Sequence, residues 1–381
     1  MPSDITSNEN IVKISAAGSG KTWDICHDAL ELSRTGMRTL IVSYTNRGVM
    51  AIEDEICHQN CGVLDKNITI KTWFSFLLSD MIKPYQHYVG VPANYIKSID
   101  FSQEFGFVNM YGKSNRARYL NGRNVRSNNV SELAIVVKNL SKGKTVSRLE
   151  EIYTRIFFDE IQDLVGCDLD VMTALMDSEM GVTCAGDNKQ ATFSNHNTRK
   201  NKRITGKNIW QFFSEYQKHG QIVTVKNLTS RRFNAQICSF ANDLFPIGDP
   251  ISTCMTATTG HDGVFLIRRE DIERYYDTYK PQVLRYDRRT NTSGFTSVNF
   301  GACKGETFDR VMIFPNGLFK DYILKKKPLA TPEKYYVAVT RPQYSIAFVM
   351  DKLPKKLDRY EDVEIDVEDG KIEGKKYISA S

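Results

Sequence analysis

The chain has 381 residues, of which 41% are hydrophobic and 25% charged. This composition is typical of globular proteins with buried cores and excludes a disordered chain, and the length predicts two domains, or one domain with insertions. No apolar stretch approaches the ~20 residues that span a bilayer, and the eight cysteines form neither a disulfide framework nor a zinc-ribbon pattern. We therefore expect a cytoplasmic protein with reduced thiols and no membrane contact.

The first 81 residues alternate between strand-like and helix-like patterns. Each apolar run is followed by a polar turn and then by an amphipathic stretch, which predicts an α/β fold with a parallel sheet and crossover connections. Three strand–helix pairs are predicted: 11–14 with 23–32, 39–43 with 49–57, and 68–70 with 73–81.

Residues 82–149 interrupt this alternation and are predicted to form an insertion on the first domain. They are rich in Asn, Ser, Gly and Tyr, and the segment from Lys113 to Arg148 holds nine basic residues against a single acidic one, Glu132. Two interpretations remain open here, a surface that follows a nucleic-acid backbone and a solvated flexible loop.

The α/β pattern resumes with apolar runs at 156–158 and 182–185 and then repeats after a boundary near 220–226. The predicted domains are therefore 1–225 and 226–381, the second with a helix at 235–245 and strands at 263–267 and 311–314. The tail after Lys352 carries alternating charge blocks and few apolar residues, which predicts one strand followed by frayed sequence.

A glycine-rich loop lies between the first predicted strand and the first predicted helix. In residues 16–22, glycines let backbone N–H groups curl around phosphates at a helix N-terminus, a lysine reaches the β and γ phosphates, and a hydroxyl ligates Mg²⁺. Ala16 stands where the general P-loop pattern has its first glycine. The predicted triphosphate-binding residues are Ala17, Gly18, Ser19, Gly20, Lys21 and Thr22.

A second acidic site follows the predicted strand at 156–158. Asp159 is placed to hold Mg²⁺ together with Thr22, and Glu160 to accept a proton from the attacking water as the γ phosphate leaves. A lone acidic loop is usually a solvated turn, but its pairing with a P-loop indicates a nucleoside triphosphatase. ATP and Mg²⁺ are the predicted cofactors.

With these two blocks, the sequence resembles superfamily 1 helicases of the UvrD/Rep/PcrA type, and further motifs of that family follow in the same order. Residues 44–47 resemble motif Ia, 72–76 motif Ib, 186–193 motif III, and 304–311 motif V. The resemblance implies two RecA-like P-loop NTPase domains with parallel sheets and a small 1B-like insertion. It implies nucleic-acid contacts by Tyr44, Thr45, Asn46, Thr72, Trp73, Phe74 and Phe193.

The same resemblance implies three further catalytic residues. Gln190 would sense the γ phosphate, and Arg232 in motif IV and Arg341 in motif VI are candidate arginine fingers. With Lys21, Asp159 and Glu160, they complete the predicted catalytic set.

The sequence departs from the family pattern at two places, and these limit what the resemblance implies about the nucleotide base and the number of subdomains. No glutamine stands at the adenine-reading position before the P-loop, so the base of the nucleotide is not specified. Only 56 residues separate Asn242 from Asn299, an interval too short for subdomain 2B of the larger relatives. The chain is thus similar in outline to short UvrD-like helicases.

The predicted function is ATP-driven translocation on single-stranded DNA or DNA unwinding, with 3′ to 5′ polarity implied by the resemblance. Two alternatives remain open: a nucleotide-gated DNA-binding ATPase that activates a nuclease without unwinding, and an RNA helicase. A nuclease or a replication or repair protein is the partner that the resemblance suggests, since no nuclease-like cluster is visible in this chain.

Overall fold

The computed structural model describes residues 8–102, 112, 115–190 and 208–379. The chain divides into two compact units, each described by itself. The first comprises the described residues of 1–14, 21–188 and 193–226, and the second those of 15–20, 189–192 and 227–381. Because two short segments of the amino-terminal half pack with the second unit, the domain limits 1–225 and 226–381 stay predictions.

The first unit is built on a six-stranded sheet. Its strands are β1 (Asn10–Ser15), β2 (Thr39–Ser43), β3 (Ile68–Thr72), β7 (Arg155–Phe158), β8 (Gly181–Gly186) and β9 (Ile222–Asn227), in the order β3-β2-β7-β8-β1-β9. The pairs β3–β2, β2–β7, β7–β8 and β8–β1 are all parallel. All residues of β2 and β7 are buried, as expected for central parallel strands covered on both faces.

Helices cover both faces of this sheet. They are α1 (Lys21–Arg34), α2 (Asn46–Gln59), α3 (Trp73–Phe76), α4 (Val130–Leu140), α5 (Lys144–Ile152), α6 (Asp168–Met176) and α7 (Ile209–Lys218). The helices α1 and α2 bury Ile25, Ile52 and Ile56 against Ile41 and Phe157. On the other face, residues of α4 to α7 pack against Leu40, Val42 and Phe158.

The segment predicted as an insertion joins β3 to β7. A π-helical stretch (Leu77–Ile82) and a 3-10 helix (Lys83–Val89) follow α3, and a small sheet follows them, with strands β4 (Ile99–Asp100), β5 (Leu120–Asn121) and β6 (Asn124–Arg126) in the order β4-β6-β5. The two helices that end the segment, α4 and α5, are part of the main core, since Leu133, Val137 and Leu149 are fully buried there.

Several arginines of the basic segment hold this insertion together. Arg118 forms a 2.8 Å ion pair with Glu132, and Arg116 donates to the Gly90 carbonyl. Arg123 donates to the carbonyls of Tyr95 and Asn94. These three arginines therefore have structural partners, and the two interpretations of the basic segment, a surface that follows a nucleic-acid backbone and a solvated loop, stay predictions.

The second unit contains a seven-stranded sheet. Its strands are β12 (Gly263–Arg268), β13 (Gln282–Arg285), β14 (Val298–Asn299), β15 (Phe308–Phe314), β16 (Pro342–Met350), β17 (Tyr360–Val367) and β18 (Gly370–Tyr377), in the order β14-β13-β15-β16-β12-β18-β17. A separate parallel pair is formed by β10 (Thr229–Ser230) and β11 (Ser252–Thr253). The helices are α8 (Ala235–Leu244), α9 (Ile272–Tyr279), α10 (Gly317–Lys325) and α11 (Glu333–Val339).

The two sheets confirm the predicted α/β class with parallel sheets. The structure corrects the prediction for the tail after Lys352. Strands β12 to β16 pair in parallel, whereas β18 pairs antiparallel with β12 and with β17. The prediction of frayed sequence after one strand was wrong, because Ile365, Ile372 and Tyr377 are buried against the sheet. On β17, Val363, Ile365 and Val367 alternate with exposed residues, and Ile365 lies opposite Ile372 of β18, which is the spacing of a hairpin with an apolar face. None of the helices within the described residues is long and apolar enough to cross a membrane.

Candidate functional site

The predicted site residues of the first unit follow the carboxyl ends of its parallel strands. The acidic loop follows β7, and residues 44–46 follow β2. Thr72 is the last residue of β3, and the predicted contacts Trp73 and Phe74 come directly after it. Strands β7 and β1 are separated only by β8, and the glycine-rich loop follows β1. Because the carboxyl ends of parallel strands lie at one edge of a sheet, this is the edge at which open α/β sheets bind ligands.

The glycine-rich loop has a backbone suited to phosphate. Gly18 and Gly20 have φ values of +73° and +94°, which residues with a Cβ rarely adopt, and the Ser19 amide donates to the Ala16 carbonyl over 3.2 Å to close a turn. Helix α1 begins at Lys21, and its 14 residues direct a positive dipole end toward the loop. Among the described residues, the buried Ser19 Oγ has no hydrogen-bond partner, so an oxygen-rich ligand would fit this loop.

Residues 15–20 of the loop belong to the second unit. The Arg231 amide donates to the Gly18 carbonyl over 2.8 Å, and Asn227 Nδ2 donates to the Ser19 carbonyl over 3.3 Å. A Cβ on Gly18 would lie 2.5 Å from the Cβ of Arg232. Within this unit, one predicted arginine finger, Arg232, therefore lies next to the predicted phosphate-binding loop.

Asp159 and Glu160 form a compact acidic turn. Asp159 is 8% exposed, its amide donates to the Val42 carbonyl, and its Oδ1 accepts the Glu160 amide over 2.9 Å. Glu160 has a left-handed φ of +57°, a conformation that costs energy in a residue with a Cβ and is frequent at functional sites.

The thiol of Cys26 lies near negative charge. Burial raises the pKa of Cys26, and the negative charges of Glu55 and Asp159 raise it further. Cys26 lies on α1 four residues after Thr22, on the same helix face. The role of Thr22 and Asp159 as a pair of Mg²⁺ ligands stays a prediction.

Gln162 is a site residue to which the sequence interpretation gave no role. It is fully buried, its Nε2 donates to Glu160 Oε2, and its Oε1 accepts the Asp187 amide over 3.2 Å. One amide side chain thus joins the proposed catalytic carboxylate to the loop after β8. Its position within the acidic motif was the only available signal, since the contact to Asp187 joins residues 25 apart in sequence.

Gln190 and Arg341 are in direct contact in the second unit. Arg341 Nη2 donates to Gln190 Oε1 over 3.2 Å, and Arg341 Nε donates to the Val337 carbonyl over 3.0 Å. Arg341 is 1% exposed. Next to Gln190, the buried Lys189 donates to the Phe245 carbonyl over 3.1 Å. The predicted phosphate sensor and the second predicted arginine finger therefore form one hydrogen-bonded pair.

The predicted nucleic-acid residues differ in accessibility. Thr45 and Asn46 are exposed at the start of α2, where Thr45 Oγ1 accepts the Gly48 amide and caps the helix. Thr72 caps α3 in the same way. Tyr44 and Phe74 are half-buried with ring centroids 5.9 Å apart, and Phe193 lies outside the described residues.

The structure corrects one of the predicted nucleic-acid contacts, Trp73. It is 2% exposed, packs edge-on against Phe158, and its indole N–H donates to Asp168 Oδ1 over 3.2 Å. A ring enclosed in this way offers no face to a base. The prediction was wrong because the residue that directly follows this helix cap is enclosed in the core, whereas the next residue, Phe74, is half-buried.

A solved complex of arterivirus nonstructural protein 10, described as a helicase, with DNA is similar to this chain, with a TM-score of 0.47 and 14% sequence identity. The similarity covers 92% of this chain and 62% of that one, so this chain spans less than two thirds of the length of that protein. No family model and no curated protein matches the sequence. The superfamily 1 assignment that the motifs indicate stays a prediction.

Proposed function

We propose that this protein is an ATP-dependent enzyme that translocates along single-stranded DNA or unwinds DNA. The observation that carries the proposal is one of connectivity: a glycine loop with positive φ values connects β1 to α1, and the turn of Asp159 and Glu160 directly follows β7, a strand of the same sheet as β1. This pair of features supports triphosphate hydrolysis. The exposed Thr45 and Asn46 after β2 and the half-buried Phe74 after β3 support a nucleic-acid track.

Each predicted site residue would have its own role in triphosphate hydrolysis. Lys21 and the loop amides would bind the phosphates, and Thr22 and Asp159 would hold Mg²⁺, which neutralises charge on the phosphate oxygens when bound. Glu160, fixed by the Gln162 amide, would accept a proton from the attacking water. Gln190, Arg232 and Arg341 would then stabilise the charge that develops on the transferred phosphoryl group.

Finer features of the proposal rest on the sequence motifs. They favour a short superfamily 1 helicase with 3′ to 5′ polarity, located in the cytoplasm, with a nuclease or a replication or repair protein as partner. Because no adenine-reading glutamine is visible before the P-loop, the motifs do not specify the base of the nucleotide. A nucleotide-gated switch that binds DNA without moving and an RNA helicase are the alternatives.

The first test is ATP hydrolysis with single-stranded DNA, duplex DNA, RNA or no nucleic acid. We expect stimulation by single-stranded DNA, and we expect Lys21→Ala and Glu160→Gln to abolish it, because the first removes phosphate binding and the second removes the proton acceptor. Lys66→Ala is the matched control, since Lys66 is exposed before β3 at the opposite edge of the sheet. Hydrolysis that persists in both variants would refute the assignment.

A second assay separates the alternatives. Strand displacement and translocation are measured on the same DNA with the wild-type protein. Displacement supports a helicase, movement without displacement supports a translocase, and hydrolysis without either supports the switch. Stimulation by RNA alone would favour the RNA helicase.

A further inference from the structure

Phe101 is an exposed aromatic residue that no sequence motif identified. It follows β4 in the insertion, and its side chain is 61% exposed. Its ring lies edge-on to Phe74, with centroids 5.2 Å apart and planes at 82°. The exposed part of the ring leaves a face available for a ligand. Covering that face would be favourable, because it removes apolar surface from water.

The backbone on both sides of Phe101 is fixed by hydrogen bonds. Asp100 Oδ1 accepts the Ser102 amide over 2.8 Å and the Ser102 hydroxyl over 2.6 Å. Asp100 Oδ2 accepts the Asn121 side-chain amide over 2.7 Å, which ties the segment to β5. The ring is therefore presented by an ordered turn, and little conformational entropy remains to be lost when a ligand stacks on it.

Phe101 extends a row of three rings that leads from the sheet edge to the surface. Tyr44 follows β2, Phe74 lies between, and Phe101 is the most exposed. Tyr44 and Phe74 pack against the core of the first unit, which anchors the row. The exposed hydroxyl and amide of Thr45 and Asn46 follow Tyr44 directly in sequence, and such groups commonly contact phosphate and sugar.

We propose that Phe101 stacks on a base of single-stranded DNA and continues the candidate base-contacting row of Tyr44 and Phe74. This inference rests on the proposed function. A protein partner fits less well, since the described sequence neighbours of Phe101, Asp100 and Ser102, are polar, whereas protein interfaces commonly use broad apolar patches. A stacked base needs one accessible ring and no particular sequence.

The test compares DNA binding by Phe101→Ser, Phe101→Trp and wild type, measured by fluorescence anisotropy of labelled oligo-dT. Loss of the ring should weaken binding by about 5- to 150-fold, the range expected for loss of one stacked base, and Phe101→Trp should retain wild-type affinity. Leu140→Ser is the matched control, because Leu140 is 51% exposed in the same insertion but lies at the end of α4. Its affinity should be unchanged.

A second oligonucleotide separates stacking from a structural effect. On a strand of equal length without bases, wild type and Phe101→Ser should bind equally, because only the phosphates remain to be contacted. A Phe101→Ser variant that loses affinity equally for both strands, or for neither, overturns the inference. If the wild-type protein hydrolyses ATP but binds no single-stranded DNA, the proposed function itself fails, which is a separate result.

Discussion

His261 gives a quantitative prediction for the stability of the second unit. It is 8% exposed, and its ring is stacked between Phe265 and Tyr279, with centroid distances of 4.2 and 3.9 Å. Its Nε2 lies 2.8 Å from the Tyr275 hydroxyl. This enclosure stabilises the neutral imidazole, because a charged ring would lose its hydration.

Burial, together with the positive charges of Arg310 and Lys376 and against the opposing effect of Asp262, lowers the pKa of His261 from 6.5 to about 3. Between these two pH values, the unfolded chain binds a proton that the folded chain does not. The free energy of unfolding must therefore fall as the pH decreases below 6.5. The contribution of His261 should be about 2 kcal/mol smaller at pH 5 than at pH 7.5, and about 3 kcal/mol smaller at pH 4.

Urea unfolding of wild type and His261→Gln at several pH values measures this effect. Other titrating groups contribute equally to both proteins, so the difference between the two unfolding free energies isolates His261. Far-UV circular dichroism is needed, because the three tryptophans all lie in the first unit and their fluorescence reports on that unit. His58→Gln, at an exposed position of α2, is the control. A wild-type minus His261→Gln difference that is constant between pH 7.5 and 5 would refute the reasoning.

Two predictions concern the first unit. Gln162→Met should lower kcat about tenfold or more at unchanged nucleotide KM, because the proposed general base Glu160 loses its positioning partner. Gly186→Ala should have the same effect and be non-additive with it, since its Cβ would lie 2.5 Å from Gln162 Oε1. Steady-state kinetics of both single variants and of the double variant test this. Trp73→Phe should lower the urea midpoint by removing the hydrogen bond to Asp168 while leaving oligo-dT affinity unchanged; a loss of affinity at an unchanged midpoint would restore Trp73 as a base contact.

Features that depend on neighbouring residues could be predicted from the sequence. The strand β1, the glycine loop and the start of α1 are encoded by consecutive residues, because an apolar run, two glycines and a helical pattern each act locally. The acidic turn after β7 was identified for the same reason. The α/β class followed from repetition of these local units.

Features that depend on distant contacts could not be predicted. The hairpin of β17 and β18 has few apolar residues, and only its burial against β12 shows that Ile365 and Ile372 belong to a core. Trp73 and Phe74 are adjacent aromatic residues, but Trp73 is buried and Phe74 is half-buried. The sequence does not show which of the two is accessible. Gln162 and Asp187 are joined by a hydrogen bond that depends on the pairing of β7 with β8.

The segment that follows β7 is tied to two other loops of the first unit by buried side chains. Gln162 links it to the Asp187 amide after β8. At its far end, Asp168 accepts hydrogen bonds from the Trp73 indole after β3, from Ser131 of α4 and from the Val165 amide. A buried donor without a partner costs about 1 to 3 kcal/mol. If this segment moves, the linked loops must therefore move with it, or these hydrogen bonds are lost at that free-energy cost. The arrangement thus joins the proposed hydrolytic turn to the element that carries Phe74.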